Sequence, residues 1–362
     1  MSCVSCASKY IVPYIHFKAP ISVSSDCKPL NFAHPIVLCE HCGLIQKQLS
    51  ESYFDNINTL YREYNPYPLT NGAEGVNFGG EVPQSRCLSI LENVQGLIPS
   101  SGKWLDMGTG SGVMPSSLIN LFNSRYAIWC QDLNDKYRTT LESIPEISGF
   151  IEGSIGSSVQ SFDVISLVHV LEHIVEPLSF LKEIKDKLSD GGVLIIQVPD
   201  IETNPLDFSI YDHIAHFSKD SLTKLVSQVF PGVIFPDNQL DKELTLVASV
   251  VANRQELPLS AKRVSHEQIK TSFCTFEKNV IDIKKDVLVF GTGPTSIYTA
   301  SLLGQYCAGW VDEDPVKIGK DLLDRVIYGV DDYPSDYDIV LPFLSPQREK
   351  IIKRLAHLKW LN

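Results

Sequence analysis

The sequence predicts an α/β fold: a doubly wound, Rossmann-like central sheet, preceded by a small cysteine-held module and followed by a second, smaller α/β unit. Three observations predict it. Strand-like and helix-like runs alternate from about residue 83 to 205. A strand–glycine turn–helix theme occurs twice, at Gly108 and again at Gly291. Two Cys-x-x-Cys pairs fall within the first 50 residues.

The layout follows from these signals. Residues 1–50 carry cysteines, prolines and short β-like runs and read as a metal-held module. Residues 51–82 form an aromatic, asparagine-rich connector whose prolines argue against a long helix. Residues 83–257 hold the central unit. There the spacing predicts a helix over Pro83–Gln95, then strands at Lys103–Met107, Ala127–Asp132, Gly149–Glu152, Asp163–Val168 and Gly192–Val198. Helices are expected over Pro115–Phe122 and Pro177–Leu188, and strands at Gly232–Pro236 and Leu244–Val251 should close the sheet's edge antiparallel. Residues 258–362 open with a polar helical linker to Lys285. A small α/β unit follows, with strands at Val287–Phe290, Ala308–Val311 and Ile339–Leu341 and a last helix over Pro346–Leu358.

Composition removes several function classes. The 362 residues exceed one ordinary domain of ~100–200, and 44% hydrophobic against 20% charged residues exclude a disordered chain. A net charge of −12, from 43 acidic and 31 basic residues, repels phosphate backbones, so a small molecule is the expected partner and nucleic acid is not. No apolar run approaches the ~20 residues of a membrane span. The opening MSCVSCASKY lacks the pattern of a secretion signal, so a cytoplasmic protein is expected. Nine cysteines, odd in number and scattered, suit reduced thiols and a metal rather than a disulfide framework.

The first glycine turn is where a ligand is expected. In Trp104-Leu105-Asp106-Met107-Gly108-Thr109-Gly110-Ser111-Gly112 a buried strand and an acidic residue lead through alternating glycines into a helix. Glycine permits the sharp turn and lets a ligand approach the backbone. The next strand ends at Asp132, from which a carboxylate can accept hydrogen bonds from both hydroxyls of a ribose. Alone, such a turn also serves as a plain strand-to-helix junction; the pairing with Asp132 is what marks a site.

This segment resembles the class I S-adenosylmethionine (SAM) dependent methyltransferases, whose first motif is an apolar strand, an acidic residue and GxGxG. A nicotinamide motif fits less well, since its third glycine comes one residue later. The resemblance implies that Asp106 and the loop of Gly108, Thr109, Gly110 and Gly112 face the donor. Asp132 would hold its ribose, Leu133 joins the cofactor-binding set, Ser154 would lie near adenine, and His169 would border the methionine end. The run His169-Val170-Leu171-Glu172-His173-Ile174 also resembles the family's segment after the fourth strand. For His173 two readings stand, a packed histidine at a helix start or a catalytic one.

Cys3-x2-Cys6 and Cys39-x2-Cys42-Gly43 can present four thiolates to one ion, the tetrahedral set that structural zinc prefers, with no open position for chemistry. His41 and Cys27 are alternative ligands.

After the fifth strand comes a dense polar run, Tyr211-Asp212-His213-Ile214-Ala215-His216-Phe217-Ser218, where a doubly wound sheet places its substrate crevice. His213, beside Asp212, is the candidate general base; the alternative is that both histidines cap and pack the turn before a helix starting near Lys219.

Together these features resemble the zinc-module sugar methyltransferases of deoxysugar and surface-polysaccharide biosynthesis. That resemblance implies methyl transfer to a nucleotide-linked sugar. In members that methylate a sugar carbon the catalytic run is Tyr-His-Glu-His. Here Ile210-Tyr211-Asp212-His213 keeps the histidine, substitutes aspartate for glutamate and displaces the tyrosine by one residue. His216 and Tyr211 complete the candidate set. Tyr61, Tyr64 and Tyr67 lie in the connector where the family places a substrate-facing tyrosine. The second glycine turn, Gly291-Thr292-Gly293-Pro294-Thr295-Ser296 with Asp312, invites an NAD reading, but serine stands at its last glycine position. Three rivals remain: O-methylation of a sugar or other polar metabolite, an NAD-linked oxidoreductase, and a zinc-containing binding or scaffold protein.

Overall fold

The computed structural model describes residues 2–62, 64–65, 68–70, 85–157, 160–251 and 264–361. Tyr67, Pro83 and the expected linker start at Pro258 lie outside them. The chain begins with β1 (Ile11–Ile15), β2 (Ser22–Val23), β3 (Pro29–Leu30), β4 (Ile36–Cys39), β5 (Ile45–Lys47), α1 (Glu51–Arg62) and α2 (Arg86–Val94). The central part runs β6 (Gly102–Met107), α3 (Val113–Phe122), β7 (Tyr126–Asp132), α4 (Arg138–Glu142), β8 (Ile147–Glu152), β9 (Phe162–Val168), α5 (Pro177–Lys187), β10 (Leu188–Pro199), β11 (Ala215–His216), α6 (Lys219–Val226), β12 (Gly232–Ile234) and β13 (Glu243–Ser249). Then come α7 (His266–Ile281), β14 (Val287–Phe290), α8 (Pro294–Leu303), β15 (Cys307–Asp312), β16 (Asp321–Leu322), β17 (Arg325–Gly329), β18 (Asp338–Val340) and α9 (Gln347–Arg354).

The central seven-stranded sheet has the order β12-β13-β10-β9-β6-β7-β8. Strands β8, β7, β6, β9 and β10 pair in parallel, so their carboxyl ends share one edge. Helices cover both faces, and the strands accordingly read as near-continuous apolar runs: Val193 to Pro199 of β10 is buried throughout. The expected antiparallel closure is present, with β13 running against both β10 and β12. In the C-terminal sheet, of order β16-β17-β15-β14-β18, β14 pairs in parallel with β15 and β18. Its β16 and β17 carry no strong sequence signal, with Arg325 and exposed Val326 in a short run.

One expectation needs correction. The connector is not helix-free: α1 spans twelve residues, capped by the Ser50 hydroxyl, which accepts from Tyr53 N–H at 3.2 Å. Its apolar pair Tyr53 and Ile57 is one turn apart and buried, and the helix ends ahead of Pro66 and Pro68, so those prolines limit the helix instead of preventing it. The N- and C-terminal parts pack together. Ile15, Val23, Ile36 and Ile45 share one core with Phe208, Phe273, Tyr298 and Trp310. The cysteine-module sheet, ordered β1-β4-β5-β11, takes its last strand from the central unit: Ala215 pairs with Gln46 and His216 with Ile45. Among the described residues no helix is long and apolar enough to cross a membrane.

Candidate functional site

The glycine loop lies at the carboxyl end of β6. Gly108, Gly110 and Gly112 have φ of +66°, +51° and +89°, a region open to glycine and strained for most other residues. A side chain at Gly108 would strike Val170 at 2.6 Å, whereas the space around Gly110 is open to 4 Å. The Gly110 N–H donates to Asp132 Oδ2 at 3.0 Å and the Leu133 N–H to Oδ1 at 2.7 Å, so the carboxylate ties loop to strand end. Leu133 is 76% exposed, leaving an apolar surface beside that carboxylate. Thr109 N–H donates to the Gln131 carbonyl at 3.0 Å. Ser154 is exposed just past β8, its hydroxyl accepting from Gly156 N–H at 3.2 Å.

Asp106 sits beneath the loop rather than in the opening. It is 3% exposed and accepts from the Ser166 hydroxyl at 2.7 Å, which in turn accepts from Trp104 Nε1–H at 2.9 Å. Burial pushes its carboxyl up to about 7, against the pull of the Ser166 hydroxyl. Gln131, which sequence reasoning missed, joins two loops: its Oε1 accepts from Gly108 N–H at 3.3 Å and its Nε2–H donates to the Gly153 carbonyl at 2.5 Å. A buried polar residue in an otherwise apolar strand was the available signal.

Past β9 the chain turns through His169, a non-glycine residue at φ +54°. Its Nδ1–H donates to Glu172 Oε1 at 2.9 Å, and Glu243 Oε2 stands 3.4 Å from its Nε2. Burial holds this ring down at about 4 and raises the Glu172 carboxyl. His173 follows on a short turn, its Nδ1–H donating to the Asp212 carbonyl at 2.9 Å with Tyr61 Oη 3.2 Å from the same nitrogen. Burial, then the charge on His213, lowers its pKa. The rings of His173 and His213 meet edge to face, centroids 4.8 Å apart.

His213 and His216 share one carboxylate, and it is not Asp212. Asp207 accepts from His213 Nδ1–H at 2.8 Å and from His216 Nδ1–H at 2.6 Å. Burial opposes charge on His213, but Asp207 overrides it and pushes the ring up to about 9. One carboxylate sustains one imidazolium here, so His216 is held by burial at about 4. Burial acts against ionisation of Asp207 as well, yet His213 and His216 keep its carboxyl well below the ordinary range. Asp212 instead accepts from Ser25 N–H at 2.8 Å and Ser25 Oγ–H at 2.5 Å. Its Oδ2 is 3.6 Å from His173 Nδ1. Tyr211 points away into an aromatic core, stacked on Tyr53 at 5.2 Å. Lys47, absent from the sequence reading, is wholly buried in this neighbourhood. It donates to the Phe208 carbonyl at 2.7 Å, and burial lowers its pKa to about 7.

The four cysteines of the two pairs come together, all sulfurs within 4.8 Å of one another, with Cys3–Cys42 at 3.5 Å and Cys6–Cys39 at 3.7 Å. Gly43, at φ +82°, and Ala7, at φ +58°, follow the two pairs and turn the backbone so that N–H groups donate back to Cys39 and Cys3. The contact between Cys3 and Cys42 lowers the Cys42 thiol and raises that of Cys3, so one sulfur of this pair takes the thiolate form that a metal ligand needs. The donor set fits a tetrahedral thiophilic cation. Neither His41, which is exposed, nor Cys27, whose thiol faces the Thr292 carbonyl at 3.7 Å, belongs to it. In the second glycine turn Thr292 Oγ1–H donates to Asp312 Oδ2 at 2.8 Å, so the carboxylate a ribose would need is engaged internally, and Lys317 lies 3.5 Å from it.

Residues 81–229 match the family model described as "Methyltransferase domain". A curated relative, the mitochondrial ubiquinone biosynthesis O-methyltransferase of Schizosaccharomyces pombe, is 31% identical over 103 residues, covering 27% of this chain; the match spans only 38% of that protein. Solved structures with a similar fold include the CurJ carbon methyltransferase (17% identity, TM-score 0.38, 45% of this chain and 52% of that one). A SAM-dependent methyltransferase from Aquifex aeolicus also matches (15%, 0.37, 46% and 90%).

Proposed function

We propose that the chain, whose residues 81–229 match a methyltransferase-domain model, is a class I SAM-dependent methyltransferase that transfers the methyl group of SAM to a nucleotide-linked sugar. The observation that carries donor binding is the Gly110–Asp132 junction: an open backbone bend against a carboxylate placed to grip ribose hydroxyls. Entry of the donor would exchange the Gly110 contact for those hydroxyls, with exposed Leu133 offering apolar surface beside them. The sulfonium already makes the methyl group electrophilic, so the protein's main task is to align donor and acceptor.

His213 is the residue proposed to take the acceptor's proton, in the neutral form it gains as pH rises toward about 9, with Asp207 fixing its ring in place of Asp212. His173 stands against it, Tyr61 Oη lies 3.2 Å from His173 Nδ1, and the connector's Tyr64 lies 3.2 Å from Ser25 Oγ. These closely spaced hydroxyl and imidazole groups suit a polyhydroxylated acceptor. Support for the sugar reading comes from the resemblance of the motif set and for zinc from the Cys3, Cys6, Cys39 and Cys42 cluster. O-methylation is the second reading, favoured by the name of the Schizosaccharomyces relative. Incubation with methyl-labelled SAM and a panel of nucleotide sugars tests the proposal. Label in one sugar is expected, and product NMR assigns it to carbon or oxygen. Label in unrelated polar metabolites and in none of the sugars would refute the sugar acceptor.

A further inference from the structure

We propose that Glu172, His173 and His213 form a second metal site, distinct from the cysteine cluster, for a divalent transition cation beside the methyl-donor pocket. Each residue offers one ligand atom, and these atoms lie within 4.8 Å of one another. A cation with bonds of ~2.1 Å would need only a modest inward movement of the side chains. Two imidazoles and one carboxylate are a recurrent donor set for iron, zinc and related ions, and three protein ligands leave positions open.

What distinguishes this cluster from a chance polar contact is how each ligand is held. Metal-bound histidines donate their other N–H to a carboxylate or backbone carbonyl, which fixes the tautomer and aims the free lone pair at the ion. His213 does so to Asp207 at 2.8 Å and His173 to the Asp212 carbonyl at 2.9 Å. Glu172 has one oxygen fixed by His169 at 2.9 Å; the other, Oε2, is fully buried and has no hydrogen-bond partner. A buried carboxylate oxygen without a partner is costly, and a cation satisfies it. The location is also specific. Val170, two residues before Glu172, packs over Gly108 of the donor loop.

The site goes beyond the methyl-transfer reading and changes the part His213 plays. Cation binding displaces to solvent the proton that His213 otherwise carries, and the His213 Nε2 lone pair is then committed to the metal. Two neighbouring acceptor oxygens could replace bound water there and be aligned against the donor.

Metal content tests this without reference to turnover. Protein loaded with Co2+ and freed of excess is expected to carry two ions per chain. One should give a thiolate charge-transfer spectrum and the other only the weak bands of nitrogen and oxygen ligands. Glu172→Gln and His173→Gln should each drop the content to one with the thiolate spectrum unchanged, and Asp207→Asn should weaken the second site by roughly 10–100-fold. Unchanged S-adenosylhomocysteine affinity in these variants separates loss of the ion from misfolding and from failure of the donor assignment. One ion per wild-type chain under excess Co2+, Zn2+, Mn2+ or Fe2+, or a second ion that persists in both ligand variants, would overturn the proposal.

Discussion

The donor pocket and the histidine cluster are neighbours built on opposite principles. The pocket is made of backbone: three glycines at positive φ, with the amides of Gly108, Thr109 and Gly110 bonded to Gln131 and Asp132 at the end of β7, and one carboxylate. The cluster is made of buried and half-buried side chains drawn from distant segments, with Asp207, His213 and His216 on one stretch, Glu172 and His173 on another and Lys47 from the cysteine module. A backbone pocket depends on local geometry and tolerates change around it. A buried polar network fails when one member loses its partner. Donor affinity and turnover should therefore respond to different substitutions.

The largest effect is expected at His213. His213→Ala should lower turnover by about 10²–10⁴-fold while leaving S-adenosylhomocysteine affinity within a few-fold, as measured by labelled methyl incorporation beside calorimetry. Turnover near wild type would remove His213 from the chemistry. Next comes Asp207→Asn, which keeps the shape but deprives two rings of their shared carboxylate; a loss of about 10–100-fold in kcat is expected, with the pH profile moved because His213 no longer favours its charged form. Asp212→Asn, by contrast, should change kcat less, and the reverse ranking would return Asp212 to the role first expected of it.

The cysteine module should couple to the cluster and not to the pocket. Cys42 leads through Gly43 and Leu44 into β5, which pairs with β11 and so holds His216 and the backbone beside His213. Cys42→Ser should lower thermal stability and turnover together, with donor affinity measured by calorimetry changing less than either. The smallest effect concerns Asp106. Because its folded-state pKa is raised from 3.8 to about 7, the protein binds more protons folded than unfolded between those values. Its contribution to stability is thus full below about pH 4 and is lost as pH rises through 7. Asp106→Asn should flatten that slope in urea midpoints, by an amount on the order of a few kcal/mol across the window.

The same contrast explains what could be read without a structure. The glycine turn and each cysteine pair are short motifs whose internal spacing is dictated by a single turn, and the structure brings Asp132 to Gly110 and the four cysteines to one another. Asp207 escaped because its partnership with His213 and His216 depends on how a short 3-10 turn folds back, six and nine residues away. Asp212 was adjacent in sequence, but its side chain is taken by Ser25, 187 residues earlier. Tyr211 was chosen for its chemistry, and packing against Tyr53 and Phe32 sends it into an aromatic core. Lys47 looked like an ordinary strand residue and is buried because β5 pairs with a distant strand.

Calorimetric titration with S-adenosylhomocysteine, comparing wild-type protein with Asp132→Ala, tests the donor assignment most directly. Stoichiometric binding to the wild type is expected, weakened about 10-fold or more in the variant as charge-assisted hydrogen bonds to the ribose are lost. Absence of binding by the wild type, or equal affinity in both proteins, would contradict it.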